Sequence, residues 1–179
     1  YGSLAGVTSG AALGTALNSL SSQAGQGASA GTVTQTQQFA DNMHSCPTFT
    51  EAGAKLNERA CVWQRPLGQF TTQDATVDAG GYTFRSAVAQ FGGQKMVAPG
   101  WILGLSGAYT FSRSKDDTGQ AISKGQGFLL GGVLKREIDD WTLSTALHAG
   151  MSWHDNSRST SINGRPEEAT STTRVQHVG

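Results

Sequence analysis

The sequence has little charge and no long apolar run. Only 15% of its 179 residues are Asp, Glu, Lys or Arg, and the formal net charge is zero. The lack of a basic patch argues against a nucleic-acid partner. A membrane-spanning helix needs roughly 18 or more consecutive apolar residues, and no such stretch occurs. The composition therefore disfavours both a nucleic-acid-binding protein and a helical membrane protein.

Glycine is abundant, at 24 residues. Low charge with much glycine and serine can indicate disorder, but disordered chains usually lack aromatic and β-branched residues. The four tryptophans lie within apolar stretches, so we expect most of the chain to be ordered. They are Trp63, Trp101, Trp141 and Trp153.

The chain contains two cysteines, Cys46 and Cys61. If they pair, the disulfide stabilises the fold by about 3 kcal/mol in the chain-entropy model and indicates an oxidising compartment. Two free thiols are the alternative. A metal site would need more ligands than His44, the one candidate nearby, so we expect neither metal nor cofactor. We predict a disulfide at the junction before the first strand.

Residues 1–45 show helical spacing of apolar side chains, which predicts a helical linker or pore segment. Ser21–Thr34 is small, polar and rich in glycine, which predicts a loop or a poorly formed helix. Gln35–Met43 predicts a second short helix. Residues 46–60 are then expected to form a junction loop. The first apolar stripe consists of Leu4, Val7, Ala11, Leu13, Leu17 and Leu20.

Beyond Cys61 the apolar period changes to two, which is typical of half-buried strands. Trp141–Trp153 and Trp101–Arg113 each have one apolar face with aromatic ends and an opposite face of small or polar residues. With the rise of a strand and a tilt near 40°, Trp141–Trp153 spans roughly 30 Å. The lipid-facing band of a membrane barrel is about 25 Å tall and has aromatic girdles. We therefore predict lipid-facing side chains at Trp101, Leu103, Leu105, Tyr109, Trp141, Leu143, Leu147, Met151 and Trp153.

Other segments alternate less cleanly. Leu129 and Val133 break the stripe of their segment by falling on its polar face. Arg85 is expected to face a barrel lumen, where charge is tolerated. Thr170–Val178 predicts a sixth strand. Residues 61–179 are thus expected to form about six antiparallel strands, a β-meander of a transmembrane barrel.

The connections also alternate in length. Barrels of the outer membrane have short periplasmic turns and longer external loops. The connections after Phe70, Arg113 and Trp153 are therefore predicted to face outward. Those near Gly93 and Asp139 are predicted to face the periplasm, and His154–Glu168 is expected to be the longest loop.

Four segments resemble the translocator domain of type V autotransporters. Ala16–Ala24 (ALNSLSSQA) and Phe39–Asp41 are similar to the stretch that leads into the family's barrel. Cys61–Gly68 (CVWQRPLG) resembles its first strand. Gly100–Tyr109 (GWILGLSGAY) is similar to its third strand.

The resemblance implies a barrel of about twelve strands, plugged by a helix that connects to an exported N-terminal passenger. It further implies a place in the outer membrane of a Gram-negative bacterium. The implied partners are outer-membrane lipid, the passenger, the barrel-assembly machinery and periplasmic chaperones. At most six strands are found and the family's closing strand is absent, so we expect a fragment that self-associates or is completed by other copies. Lipid does not tolerate open sheet edges.

Alternatives remain. A soluble β-barrel or sandwich that binds a ligand or partner would also need one apolar face. Ser152, His154 and Asp155 invite a hydrolase interpretation, but a triad depends on geometry that adjacency does not supply. Gly125–Gly131 lacks the spacing of a nucleotide motif. Asp116 and Asp117 provide too few oxygens for Ca²⁺. No catalytic residue is predicted, and the protein is not expected to be an enzyme.

Overall fold

The computed structural model describes residues 23–50, 53–56, 60–76, 80–162 and 165–179. The apolar stripe from Leu4 to Leu20 lies outside this range. Within it, no helix combines the length and the apolar character needed to cross a membrane. The described elements are α1 (Gln23–Met43), β1 (Pro47–Thr50), β2 (Gly53–Leu56), β3 (Ala60–Gln73), β4 (Tyr82–Ala98), β5 (Trp101–Asp116), β6 (Ala121–Ile138), β7 (Trp141–Ile162) and β8 (Arg165–Val178).

Helix α1 is continuous from Gln23 to Met43, so the prediction of a loop or weak helix before a short helix was wrong. Its hydroxyl side chains are satisfied inside the helix. Thr32 Oγ1 donates to Ala28 O at 2.8 Å, and Thr36 Oγ1 donates to Thr32 O at 2.9 Å. Serine and threonine side chains can compete for backbone hydrogen bonds and so destabilise a helix. Here packing against the sheet outweighs the low propensity of the glycine-rich first half.

The main sheet is an antiparallel meander of six strands in the order β3-β4-β5-β6-β7-β8, which confirms the predicted architecture. The sheet is open, because β3 and β8 are its two edges. A separate two-stranded sheet, β1-β2, occupies part of the predicted junction segment, with Pro47 opposite Leu56 and Thr50 opposite Gly53.

Tight turns define one end of the sheet. Pro99 and Gly100 connect β4 to β5, and Asp139 and Asp140 connect β6 to β7. Gly100 and Asp139 adopt positive φ angles of 69° and 51°. We call this the tight-turn end. The opposite end carries residues 74–76, 80–81 and 117–120 and is called the long-connection end.

The predicted longest loop is largely a hairpin. β7 continues to Ile162 and pairs with β8 from Arg165 onward. The predicted connection over Gly92–Gly100 is likewise mostly strand, since β4 continues to Ala98. Polar composition misled both predictions, because backbone hydrogen bonds to a neighbouring strand form regardless of how polar the side chains are.

The sheet has two different faces. The inner face is the one that α1 covers, and the outer face is the opposite one. On β4, Tyr82 and Phe84 lie on the inner face and are buried, whereas Arg85 is exposed on the outer face. The prediction that Arg85 faces the lumen was therefore wrong. Leu129 and Val133 are buried on the inner face, which explains their interruption of the apolar alternation.

Candidate functional site

The C-terminal half of α1 packs tightly on the inner face. Phe39 and Met43 are buried in one apolar cluster with Val88, Ala108 and Leu129, which come from β4, β5 and β6. These side chains form one apolar contact between the helix and the inner face. These contacts fix the position of the C-terminal half of α1 on the sheet.

A glycine gives Met43 its space. A Cβ atom at Gly131 would overlap Met43 Sδ and lie 3.0 Å from His148 Cβ. Gly131 lies in strand β6, so the glycine-rich segment does not open a helix as a nucleotide-binding motif would. Its glycine allows close approach of helix and strand instead.

A buried glutamine links the helix backbone to the sheet. Gln90 is fully buried, and its Nε2 donates to Phe39 O and to Ser106 Oγ, each at 3.1 Å. Its Oε1 accepts a hydrogen bond from Asn42 Nδ2 at 3.1 Å. Every polar atom of this side chain is thus paired, as burial requires.

Two cations bind the C-terminal end of α1. Arg65 NH1 donates to Asn42 O at 2.9 Å and to Asn42 Oδ1 at 2.8 Å, and NH2 donates to Ser45 Oγ at 2.9 Å. Lys135 Nζ donates to His44 O at 2.6 Å, and the Lys135 side chain is buried. The last carbonyls of a helix lack intrahelical partners and carry partial negative charge. Both cations satisfy that need.

The two cysteines lie beside this anchor. The structure joins Cys46, just after α1, to Cys61 in β3, with their Cα atoms 6.2 Å apart. That separation falls in the usual range for a disulfide. The link ties the end of the helix to the first strand of the main sheet, near the tight-turn end. Its chemical formation stays a prediction that is tested below.

The N-terminal half of α1 contacts the sheet through glycines instead of large apolar side chains. Gly27 and Gly31 face two rings of β4. A Cβ at Gly27 would lie 2.5 Å from Tyr82 Cδ2, and a Cβ at Gly31 would overlap the Phe84 ring. The helix therefore approaches the sheet here through bare backbone, and a four-residue spacing puts both glycines on one side.

A cavity with a mixed lining borders this half of the helix, since apolar side chains such as Ala28 and Val175 line it as well as polar ones. Its volume is about 580 Å³, and it opens between α1 and strands β6, β7 and β8. Space on this side contrasts with the apolar packing around Phe39 and Met43. The side chains lining it include Gln26, Ser123, His154, Asn156 and Ser171.

The direction of α1 follows from these contacts. Gly27 approaches Tyr82 and Ser114, both at the long-connection end. The last helical residues approach Arg65 and Cys61 near the start of β3, at the tight-turn end. The helix therefore runs along the strands, with its N-terminus at the long-connection end.

Residues 62–179 match the family described as Autotransporter beta-domain. The chain belongs to this autotransporter family. It is an outer-membrane translocator domain, and its family implies a passenger domain and an outer-membrane setting. No curated protein matches the chain.

Within this autotransporter domain, the predicted lipid-facing residues all lie on the outer face. Leu105, Leu143 and Leu147 are 67%, 60% and 71% exposed, and Trp141 is 75% exposed. The structure brings them together as one apolar surface that α1 does not cover. Their contact with lipid stays a prediction, which the next section takes up.

The hydrolase interpretation fails on geometry. Ser152 Oγ and His154 Nε2 are 3.2 Å apart on the inner face. Asp155 lies on the outer face, and its Oδ1 accepts a hydrogen bond from Thr172 Oγ1 at 2.9 Å. The alternation of the strand separates the carboxylate from the imidazole, so no triad is assembled.

The calcium interpretation also lacks support. Asp116 caps the turn after β5, because its carboxylate accepts hydrogen bonds from Thr118 Oγ1 and from Ala121 N, the latter at 3.0 Å. Across the part of the chain that the structure describes, no three or more His, Cys, Asp or Glu side chains are grouped to hold a metal ion.

Sequence reasoning missed the polar residues that anchor the helix, namely Arg65, Gln90 and Lys135. A signal for two of them was present. Gln90 lies between Val88 and Gly92 on the inner face of β4, and Lys135 follows Val133 on the inner face of β6. Their partners could not be predicted, because the position of α1 along the strands depends on the fold.

Proposed function

We propose that α1 passes through the barrel lumen and joins the barrel to an N-terminal passenger, which the domain exports across the outer membrane of a Gram-negative bacterium by type V secretion. One observation carries this proposal. Helix α1 covers the inner face, which includes the buried polar side chains Gln90 and Lys135, and leaves the apolar surface of the outer face exposed. A lumenal helix and a lipid-facing exterior require that arrangement.

The soluble β-barrel or sandwich alternative requires the opposite arrangement. Its apolar stripe would form the core, and a helix packed on the sheet would bury Leu143 and Leu147. The helix instead contacts Val88, Ala108 and Leu129 on the inner face. The apolar outer face supports contact with outer-membrane lipid.

The direction of the helix supports export outward. In outer-membrane barrels the longer connections face the exterior. The N-terminus of α1 lies at the long-connection end, so this end of the helix would face the exterior, on the side of an exported passenger. The end bound by Arg65 and Lys135 would then lie near the periplasm.

The two sheet edges imply further pairing. Within the described residues, β3 and β8 each pair with one strand only, and lipid leaves no polar backbone group unpaired. We propose that additional strands, from the same protein or from a second copy, complete the barrel. The barrel-assembly machinery and periplasmic chaperones are the proposed partners in that step, and without it the sheet would self-associate. The domain is proposed to act without catalytic residues, metal or cofactor.

The decisive experiment compares two charges placed on opposite faces of β7. Leu147→Arg should destabilise the assembled barrel by about 2–4 kcal/mol, because arginine near the bilayer midplane has that cost. Ser144→Arg, on the inner face, loses its hydrogen bond with His44 and lies directly opposite Lys135, and together these changes should cost less than about 2 kcal/mol. Denaturant unfolding of the barrel in lipid vesicles measures both. Equal losses would refute the assignment of the faces.

A further inference from the structure

Three cations occupy directly opposed positions on the outer face. Arg85 of β4 is opposite Arg113 of β5, and Arg113 is opposite Lys124 of β6. Directly opposed residues in antiparallel strands have Cα atoms about 4.5–5.5 Å apart. Like charges at such positions destabilise a sheet. An anion bound between these three side chains would reduce the repulsion among them.

The neighbouring rows add to the positive charge. Lys115 lies one row farther from the tight-turn end, opposite Thr83, and Arg174 lies one row closer to it, opposite Trp153. The single acidic residue in these three outer-face rows is Asp155, opposite Lys124. All five cations are exposed. We call Arg85, Arg113, Lys115, Lys124 and Arg174 the basic belt.

The basic belt begins where the apolar surface ends. Phe111 and Trp153 share a row and lie two residues before Arg113 and Asp155, and Phe70 lies in the next row, opposite Arg85. Arg85 Cζ lies 5.0 Å from the centroid of the Phe70 ring. Aromatic girdles mark the membrane–water interface of a barrel. Cations just beyond them lie at the level of lipid headgroups.

Among the residues that the structure describes, the outer face at the tight-turn end has no such belt. Lys95 is opposite Leu103, within the apolar rows. Arg136 stacks on Trp101, with Cζ 4.9 Å from the ring centroid, and donates to Pro99 O at 2.9 Å. Arg136 therefore stabilises a turn, and Lys95 has no second cation directly opposite it. The two rims of the outer face therefore differ in their affinity for anions.

We propose that the basic belt binds the phosphate groups of an anionic lipid in the leaflet at the long-connection end. The inference rests on the proposed lipid contact of the outer face. Guanidinium groups bind phosphate through two parallel hydrogen bonds, and lysine adds a mobile point charge. Phosphates between neighbouring cations would also remove the repulsion within the row. Binding of the lipid would therefore stabilise the folded barrel.

The test measures the thermal stability of the assembled barrel in zwitterionic detergent micelles as phosphatidylglycerol is added. A ligand that binds only the folded state raises the melting temperature. The single variant Arg113→Gln should require about fivefold more phosphatidylglycerol for the same shift, and the triple variant R85Q/R113Q/K124Q roughly a hundredfold more, given the usual contribution of each surface cation. Lys95→Gln, which removes one outer-face cation at the other rim, is the matched control and should behave as the wild type.

A second readout uses the repulsion itself. In zwitterionic micelles without added lipid, the triple variant should be at least as stable as the wild type. Phosphatidylcholine and inorganic phosphate should leave all variants unshifted. Equal responses of the wild type and the triple variant to phosphatidylglycerol would overturn the proposal, and so would a full response to inorganic phosphate. The comparison of Leu147→Arg with Ser144→Arg tests a different claim, namely that the outer face contacts lipid. A failure of that claim is therefore distinguishable from a failure of the basic-belt proposal.

Discussion

The two halves of α1 are held to the sheet in different ways. The C-terminal half buries Phe39 and Met43 and binds Arg65 and Lys135 through its last carbonyls. The N-terminal half presents two glycines to the rings of β4 and borders a cavity of about 580 Å³. The helix is therefore anchored through its C-terminal, packed half. The N-terminal half is slender, which leaves room beside it on the inner face.

The largest effect should come from removing the apolar anchor. Phe39→Ala deletes a buried ring, and such changes destabilise by about 3–5 kcal/mol. Val33→Ala, in the slender half, truncates a side chain that is 59% exposed and should cost less than about 0.5 kcal/mol. Denaturant unfolding of the assembled barrel measures both. Similar costs for the two variants would contradict the asymmetry between the halves.

The strands could be predicted from the sequence because their faces differ so strongly. Trp141–Trp153 alternates large apolar and small polar side chains, and one outer environment along its whole length imposes that period. The stripe on Trp101–Arg113 follows the same rule.

The helix and its anchors could not be predicted in the same way. Local propensity favours a break over Ser21–Thr34, and the continuous helix exists because a sheet lies against it. Arg85 was assigned to the wrong face because Tyr82 and Phe84, which alternate with it along the strand, are apolar enough to face lipid. These rings face inward instead, where Gly27 and Gly31 leave space for them. A pattern within one strand carries no information about such a distant partner.

Breaking the disulfide should give the next largest loss of unfolding free energy, because it releases the C-terminal, packed half of α1 from β3. Closing the loop between Cys46 and Cys61 is worth about 3 kcal/mol in the chain-entropy model. Reductant should lower the free energy of unfolding by about that amount in the wild type and by nothing in the double variant C46A/C61A. The mass of the unreduced protein should be two hydrogens below that of the dithiol. Complete alkylation of both thiols in unfolded, oxidising conditions would exclude the link.

The smallest effect concerns the slender half and has a distinctive sign. Alanine normally stabilises a helix by about 1 kcal/mol relative to glycine. At Gly31 the added Cβ would overlap the Phe84 ring, which is fully buried and cannot move aside. Overpacking costs about 1–3 kcal/mol, so Gly31→Ala should be destabilising by about 1 kcal/mol overall.

A double-mutant cycle separates the two contributions to the Gly31 effect. In a Phe84→Leu background the ring is gone, and Gly31→Ala should become neutral or stabilising because only the helix propensity remains. Ser29→Ala, at an exposed position of the same half, controls for general changes in helix stability. Unfolding free energies of the four proteins in the cycle give the coupling between the two positions. If Gly31→Ala stabilises the barrel even with Phe84 present, the N-terminal half does not approach β4 through its glycine backbone, and the lumenal path of α1 must be placed elsewhere.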